Sequence, residues 1–63
     1  SSDLIQFLYN ARGSLEETKY HLMLAKDLSY IAEDKFQDLA SNCNEVGKML
    51  NGLINSLEGK VND

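Results

Sequence analysis

The sequence has no proline, no tryptophan, one cysteine and one histidine among its 63 residues. A single cysteine excludes a disulfide within the chain, and one cysteine with one histidine cannot supply the ligands of a closed zinc site. No apolar run approaches the roughly 20 residues of a membrane span, so we expect no membrane partner. Because Cys43 is alone and occupies a core-type position, the chain fits a reducing compartment. We therefore expect a cytoplasmic protein.

Basic residues are also scarce, with six against ten acidic residues and a formal net charge of −4. Nucleic-acid-binding proteins usually present a basic face, because phosphate contacts dominate their affinity. The one regular arrangement of bases is Arg12, Lys19 and Lys26, seven residues apart on one side of a predicted helix. This stripe is a candidate nucleic-acid contact, although three such bases more often form a solvated surface. RNA is therefore a possible partner, but the composition of this acidic segment does not itself support RNA binding.

The strongest pattern present is a pair of apolar stripes with spacings of three and four residues. Such spacing is typical of helices that pack along one side. Each position of the first stripe pairs with one position of the second so that the two residue numbers sum to 61. The pairs run from 25 and 36, next to the centre of the chain, to 4 and 57, at its ends. The pattern predicts an all-α fold, an antiparallel helical hairpin with a helix at about 2–28, a turn at 29–32 and a helix at about 33–58. The predicted hairpin core consists of Leu4, Leu8, Ala11, Leu15, Thr18, Leu22, Ala25, Phe36, Leu39, Cys43, Val46, Leu50, Leu53 and Leu57.

Two helices alone leave a thin core that is open along its sides. A chain of this size leaves about 40% of its unfolded surface exposed after folding, and the sequence contains no disulfide or metal site to compensate. We therefore predict that residues 1–63 form a single segment of an up-down four-helix bundle, completed by a second copy or by further sequence.

The first helix has a second apolar side, nearly opposite the first stripe. A helix that packs against one partner needs only one such stripe, so we predict that this helix packs on more than one side. The alternative is that these are ordinary scattered surface residues. The candidate second interface consists of Tyr9, Gly13, Tyr20, Leu24 and Leu28.

No group of residues has the composition of a catalytic centre. His21 and Cys43 could lie near each other in the hairpin, but no third residue orients the imidazole as nucleophilic catalysis requires. Glu17 and His21 are four residues apart and lie toward the flank, unlike the inward Glu-x-x-His spacing of di-metal bundles. We predict no catalytic, metal or cofactor site, and no enzyme activity.

Three stretches between residues 7 and 57 resemble a known family, and the resemblance in their order and spacing extends over nearly the whole chain. They are residues 7–17 (FLYNARGSLEE), 22–31 (LMLAKDLSYI) and 46–57 (VGKMLNGLINSL). In order and spacing they are similar to the four-helix-bundle proteins encoded in 23S rRNA intervening sequences. The chain departs from that family at Ser29, where the family usually has the glycine that most easily adopts the left-handed conformation. It departs again at Ala32, where a serine would cap the next helix better.

The resemblance implies that this chain corresponds to the C-terminal hairpin of a protein about twice as long. Members of the family form up-down bundles and assemble as rings, which implies a homo-oligomer. The predicted function is a non-enzymatic, self-associating bundle module whose biochemical role is undefined. The alternative is an RNA- or nucleoprotein-binding accessory protein, akin to the accessory factor of diversity-generating retroelements.

Overall fold

The protein is a single-layer helical hairpin. The structure, a computed structural model, describes residues 2–59, with side chains from Asp3 onward; Ser1 and residues 60–63 of the predicted segment lie outside the described residues. Helix α1 spans Ser2–Asp27 and helix α2 spans Glu33–Leu57. The described part of the chain contains no strand, so the predicted all-α antiparallel hairpin is confirmed.

The dimensions show how thin this layer is. The molecule measures 42 × 23 × 13 Å along its principal axes, which corresponds to two helices side by side and one helix deep. Its radius of gyration is 14.3 Å, whereas a compact domain of this length has a radius of about 11 Å. Each helix therefore has a neighbour on one side only.

Helix α1 ends in a Schellman turn with a serine at its left-handed position. Ser29 has a φ of 65°, and its N–H donates to the carbonyl of Lys26 at 2.9 Å. The N–H of Tyr30 donates to the carbonyl of Ala25 at 2.8 Å. These two hydrogen bonds define the motif, which usually has glycine at this position because a Cβ is crowded there.

Helix α2 begins without a side-chain cap. Ala32 holds the extended conformation of an N-cap residue, with φ −76° and ψ 159°, and makes no side-chain cap hydrogen bond. In the first turn, the N–H of Lys35 donates to Oδ1 of Asp34 at 2.9 Å. Glu33 and Asp34 lie in the first turn, where carboxylates interact favourably with the positive end of the helix dipole. The turn therefore has a less favourable residue at each helix end, with Ser29 in place of glycine and Ala32 in place of a capping residue.

The two helices meet along a narrow seam. Ile54 and Leu8 are the only buried side chains among the described residues, at 2% and 6% exposure. A Cβ on Gly47 would stand 3.4 Å from Cδ2 of Leu15, so these residues face each other. The seam residues of α2 recur at spacings of three and four, and they are Phe36, Ala40, Cys43, Gly47, Leu50 and Ile54.

This seam corrects the predicted core of α2. Leu39, Val46 and Leu53 were expected to face α1, but they are exposed, and the next residue along the chain occupies the seam in each case. Two of these replacements, Ala40 and Gly47, are small enough for the helices to approach closely. Leu4, Thr18 and Leu57 are also exposed. The other members of the predicted core lie in or beside the seam. Leu8 is buried, and the half-buried ones are Ala11, Leu15, Leu22, Ala25, Phe36, Cys43 and Leu50.

Candidate functional site

One broad face of the hairpin carries a ladder of polar contacts between the helices. Nη1 of Arg12 donates to Oδ1 of Asn51 at 2.7 Å, and Nζ of Lys19 is 3.4 Å from Oδ1 of Asn44. The two bases are seven residues apart on α1, and the two asparagines are seven apart on α2. Because both spacings match two helical turns, the contacts repeat with the period of the seam.

The third base of the predicted stripe also contacts α2. Nζ of Lys26 lies 4.6 Å from the centroid of the Phe36 ring and 3.9 Å from Oε1 of Glu33. The side chains of Lys19 and Lys26 are 33% and 29% exposed, and Arg12 is half-buried. The candidate nucleic-acid residues Arg12, Lys19 and Lys26 thus lie along the hairpin seam, where each contacts the other helix.

The open end of the hairpin has a polar cluster that the sequence pattern did not indicate. Oη of Tyr9 donates to Oε2 of Glu58 at 2.6 Å, and the Arg12 guanidinium carbon lies 4.8 Å from the centroid of the Tyr9 ring. A cation over a tyrosine face is an attractive arrangement. Tyr9 was expected at the second interface, but it is half-buried against the end of α2. No regular spacing connects Tyr9 to Glu58, so only the fold reveals the contact.

The polar contacts define one side of the hairpin, and large apolar side chains lie on the other. On α2, Asn44 and Val46 are about 200° of helical rotation apart, on either side of the seam at Gly47. On α1, Arg12 and Phe7 are separated by about 140°, on either side of the buried Leu8. We call the side opposite the ladder the apolar face; it consists of Leu4, Phe7, Leu39, Val46, Met49, Leu53 and Leu57, with exposures from 37% to 67%.

A second exposed apolar surface runs along the outer edge of α1, away from α2. Tyr20, Leu24 and Leu28 are exposed there. Apart from the adjacent backbone of α1 itself, nothing lies within 4 Å of the place where a Cβ on Gly13 would stand. We call Gly13, Tyr20, Leu24 and Leu28 the outer edge. Its role as a second interface stays a prediction.

The remaining candidates for chemistry are separated from one another. Cys43 is half-buried in the seam, whereas His21 is exposed and its ring lies 5.9 Å from that of Tyr20. Within residues 2–59, no three His, Cys, Asp or Glu side chains are close enough to hold a metal ion. Over the same residues, neither helix has an apolar stretch long enough to cross a membrane.

Comparison with known proteins agrees with the resemblance seen in the sequence. A family model described as 23S rRNA-intervening sequence protein matches residues 1–52. The match covers α1, the turn and most of α2. Searches of curated proteins and of solved structures gave no match.

Proposed function

Because the chain belongs to the 23S rRNA-intervening sequence protein family, we propose that it is a non-enzymatic, cytoplasmic assembly module. Its role is to associate with further helices and so complete a four-helix bundle, and the chain self-associates. The family is not a known enzyme family, and the described side chains offer no nucleophile, acid–base pair or metal ligand set in a useful arrangement. Assembly is the activity that the geometry supports best.

The observation that carries this proposal is the amount of apolar surface that the hairpin leaves uncovered. Only Leu8 and Ile54 are buried, whereas twelve large apolar side chains of the described residues are exposed. Scattered exposed leucines are normal on monomeric proteins, but contiguous patches mark interaction sites. Here ten of the twelve lie on the apolar face and the outer edge, which points to partner helices.

The RNA-binding alternative receives no comparable support from the structure. It depends on Arg12, Lys19 and Lys26, and these side chains already hold contacts with α2. The chain also carries a net charge of −4, which opposes approach to a polyanion. Self-association is therefore the function we propose.

We expect the thermal midpoint of unfolding to rise with chain concentration, because association stabilises the folded state by mass action. Circular dichroism at several concentrations measures the midpoint, and light scattering on the same samples gives the mass. The expected result is a helical species of at least two chains whose midpoint increases across the series. A helical monomer whose midpoint is the same at all concentrations would contradict the proposed function.

A further inference from the structure

We propose that Asn51 is a site of spontaneous deamidation and that local unwinding at the end of α2 controls the reaction. Asn51 is followed directly by Gly52, and this pair of residues reacts most readily because glycine has no side chain to hinder attack by its backbone nitrogen. Both residues are exposed. The inference concerns a covalent modification within one chain, so it stands apart from the proposed assembly function.

The reaction needs no reagent other than water. The backbone nitrogen of Gly52 gives up its proton and attacks Cγ of Asn51, and the side-chain nitrogen of Asn51 takes up a proton and leaves as ammonia. Water then opens the resulting succinimide ring at one of its two carbonyls. Opening at Cγ gives aspartate, whereas opening at the backbone carbonyl gives isoaspartate, in which the chain continues through Cγ. In total, one water molecule is consumed, one ammonia is released and one negative charge is added.

The folded hairpin keeps the two reacting atoms apart. Gly52 lies inside α2, which spans Glu33–Leu57, and in a helix its N–H group points toward the carbonyl four residues earlier and away from the preceding side chain. The side chain of Asn51 is also held, because Nη1 of Arg12 donates to its Oδ1 at 2.7 Å. Attack on Cγ therefore requires that the helix unwind locally and that this hydrogen bond break.

The end of α2 has few contacts that oppose such unwinding. Asparagine and glycine are both weak helix formers, and outside the adjacent backbone of α2 nothing lies within 4 Å of the place where a Cβ on Gly52 would stand. The last turn, which ends at Leu57, has no basic residue to interact with the helix dipole. Ile54 is the buried anchor here, at 2% exposure. Because segments with few packing contacts open far more often than the whole fold, we expect residues 51–57 to open without global unfolding.

The two products have opposite effects on the hairpin. Aspartate at position 51 keeps the helical backbone and places a carboxylate beside Arg12, and a hydrogen bond between two charged groups is stronger than one to a neutral amide. Isoaspartate inserts an extra methylene group into the backbone, so the hydrogen bonds of α2 lose their register at this point. The turns that carry Ile54 then separate from the seam. In the chains that form isoaspartate, a reversible opening becomes permanent.

The first experiment locates the modification. The chain is kept in warm neutral buffer and digested at intervals, and the conversion of each asparagine is followed by mass spectrometry. We expect Asn51 to be converted first, with isoaspartate among its products. Asn55 is the internal comparison, because it lies in the same turns but is followed by Ser56, whose side chain hinders the attack. The Gly52→Ala variant should keep Asn51 unconverted over the same interval.

The second experiment tests whether unwinding controls the reaction. Asn51 should be converted more slowly by about tenfold or more in the native chain than in guanidinium chloride. Arg12→Ala should speed the native reaction by about threefold or more, because a hydrogen bond that restrains Asn51 is lost, and it should leave the rate in denaturant unchanged. Lys19→Ala is the matched control. It removes the neighbouring ladder contact, with Asn44, and should react at the parent rate.

Each contrary result identifies the part of the inference that fails. Equal rates in buffer and in denaturant overturn the control by unwinding, and conversion of Asn55 before Asn51 overturns the site. A native chain whose Asn51 stays intact while the denatured sample is fully converted overturns the whole inference. If Arg12→Ala loses its helical signal, Ile54→Val replaces it, because this small change loosens the buried anchor and should also speed the native reaction. None of these results decides whether the chain assembles, which the concentration series tests separately.

Discussion

Replacing Ile54 with alanine should lower the free energy of unfolding of the hairpin by about 3 kcal/mol, within the range for large-to-small changes in protein cores. Ile54 is the most deeply buried side chain described, at 2% exposure. The change removes apolar contacts and leaves a cavity between helices that have no second layer to collapse into the gap. Urea unfolding followed by circular dichroism, at a concentration where the chain is dissociated, measures the effect.

The neighbouring Leu53→Ala is the control that gives this experiment its meaning. Leu53 is 51% exposed in the hairpin, so its truncation should cost less than about 1 kcal/mol in the dissociated chain. Its larger effect should emerge only at high concentration, through loss of association. If Leu53→Ala is as damaging as Ile54→Ala in dilute solution, then the seam follows the stripe expected from the sequence and the observed seam is wrong.

The opposite effect is expected from repairing the turn. Ser29→Gly combined with Ala32→Ser should raise the free energy of unfolding by about 2 kcal/mol. Glycine at position 29, where φ is 65°, relieves a left-handed conformation that costs an L-residue roughly 1–2 kcal/mol. Serine at position 32 gives α2 the side-chain cap that it lacks, which contributes about 1 kcal/mol. We expect the thermal midpoint of unfolding to rise by about 10 °C.

Ser41→Gly is the matched control for the turn variant. Ser41 is exposed within α2, where glycine weakens a helix by roughly 0.5 kcal/mol relative to serine. The same substitution should therefore stabilise at position 29 and destabilise at position 41. A loss of stability at both positions would contradict the left-handed assignment of Ser29. The repaired turn also serves as a more stable background in which the Ile54→Ala variant can be measured.

Much of the fold could be predicted from the sequence, because helical periodicity and turn chemistry are local properties. The spacings of three and four residues predict two helices of about the observed length, and Ser29 and Ala32 were recognised as the weak points of the turn. The rotation of α2 could not be predicted in the same way. Its apolar stripe is wider than a two-helix contact, so either Leu53 or Ile54 satisfies the pattern. Close approach at Gly47 decides between them, and that is a property of the assembled pair.

The surfaces were predictable only in outline. The heptad spacing of Arg12, Lys19 and Lys26 is visible in the sequence, but their partners on α2 depend on the rotation of both helices. The contact between Tyr9 and Glu58 could not be predicted from the sequence either, because it joins positions 49 residues apart. The excess of apolar residues did predict an incomplete core. It also explains why the leucines displaced from the seam come to lie together on one face.

The central claim is that apolar side chains of this hairpin become buried in two stages, first within the chain and then between chains. Attenuation of methyl NMR signals by a soluble paramagnetic agent, recorded in dilute and concentrated solution, tests this claim most directly. The methyl groups of Ile54 should be protected in both samples, whereas those of Val46 and Leu53 should be protected only in the concentrated one. If Val46 and Leu53 are equally accessible at both concentrations, or are protected while Ile54 is accessible, the claim is contradicted.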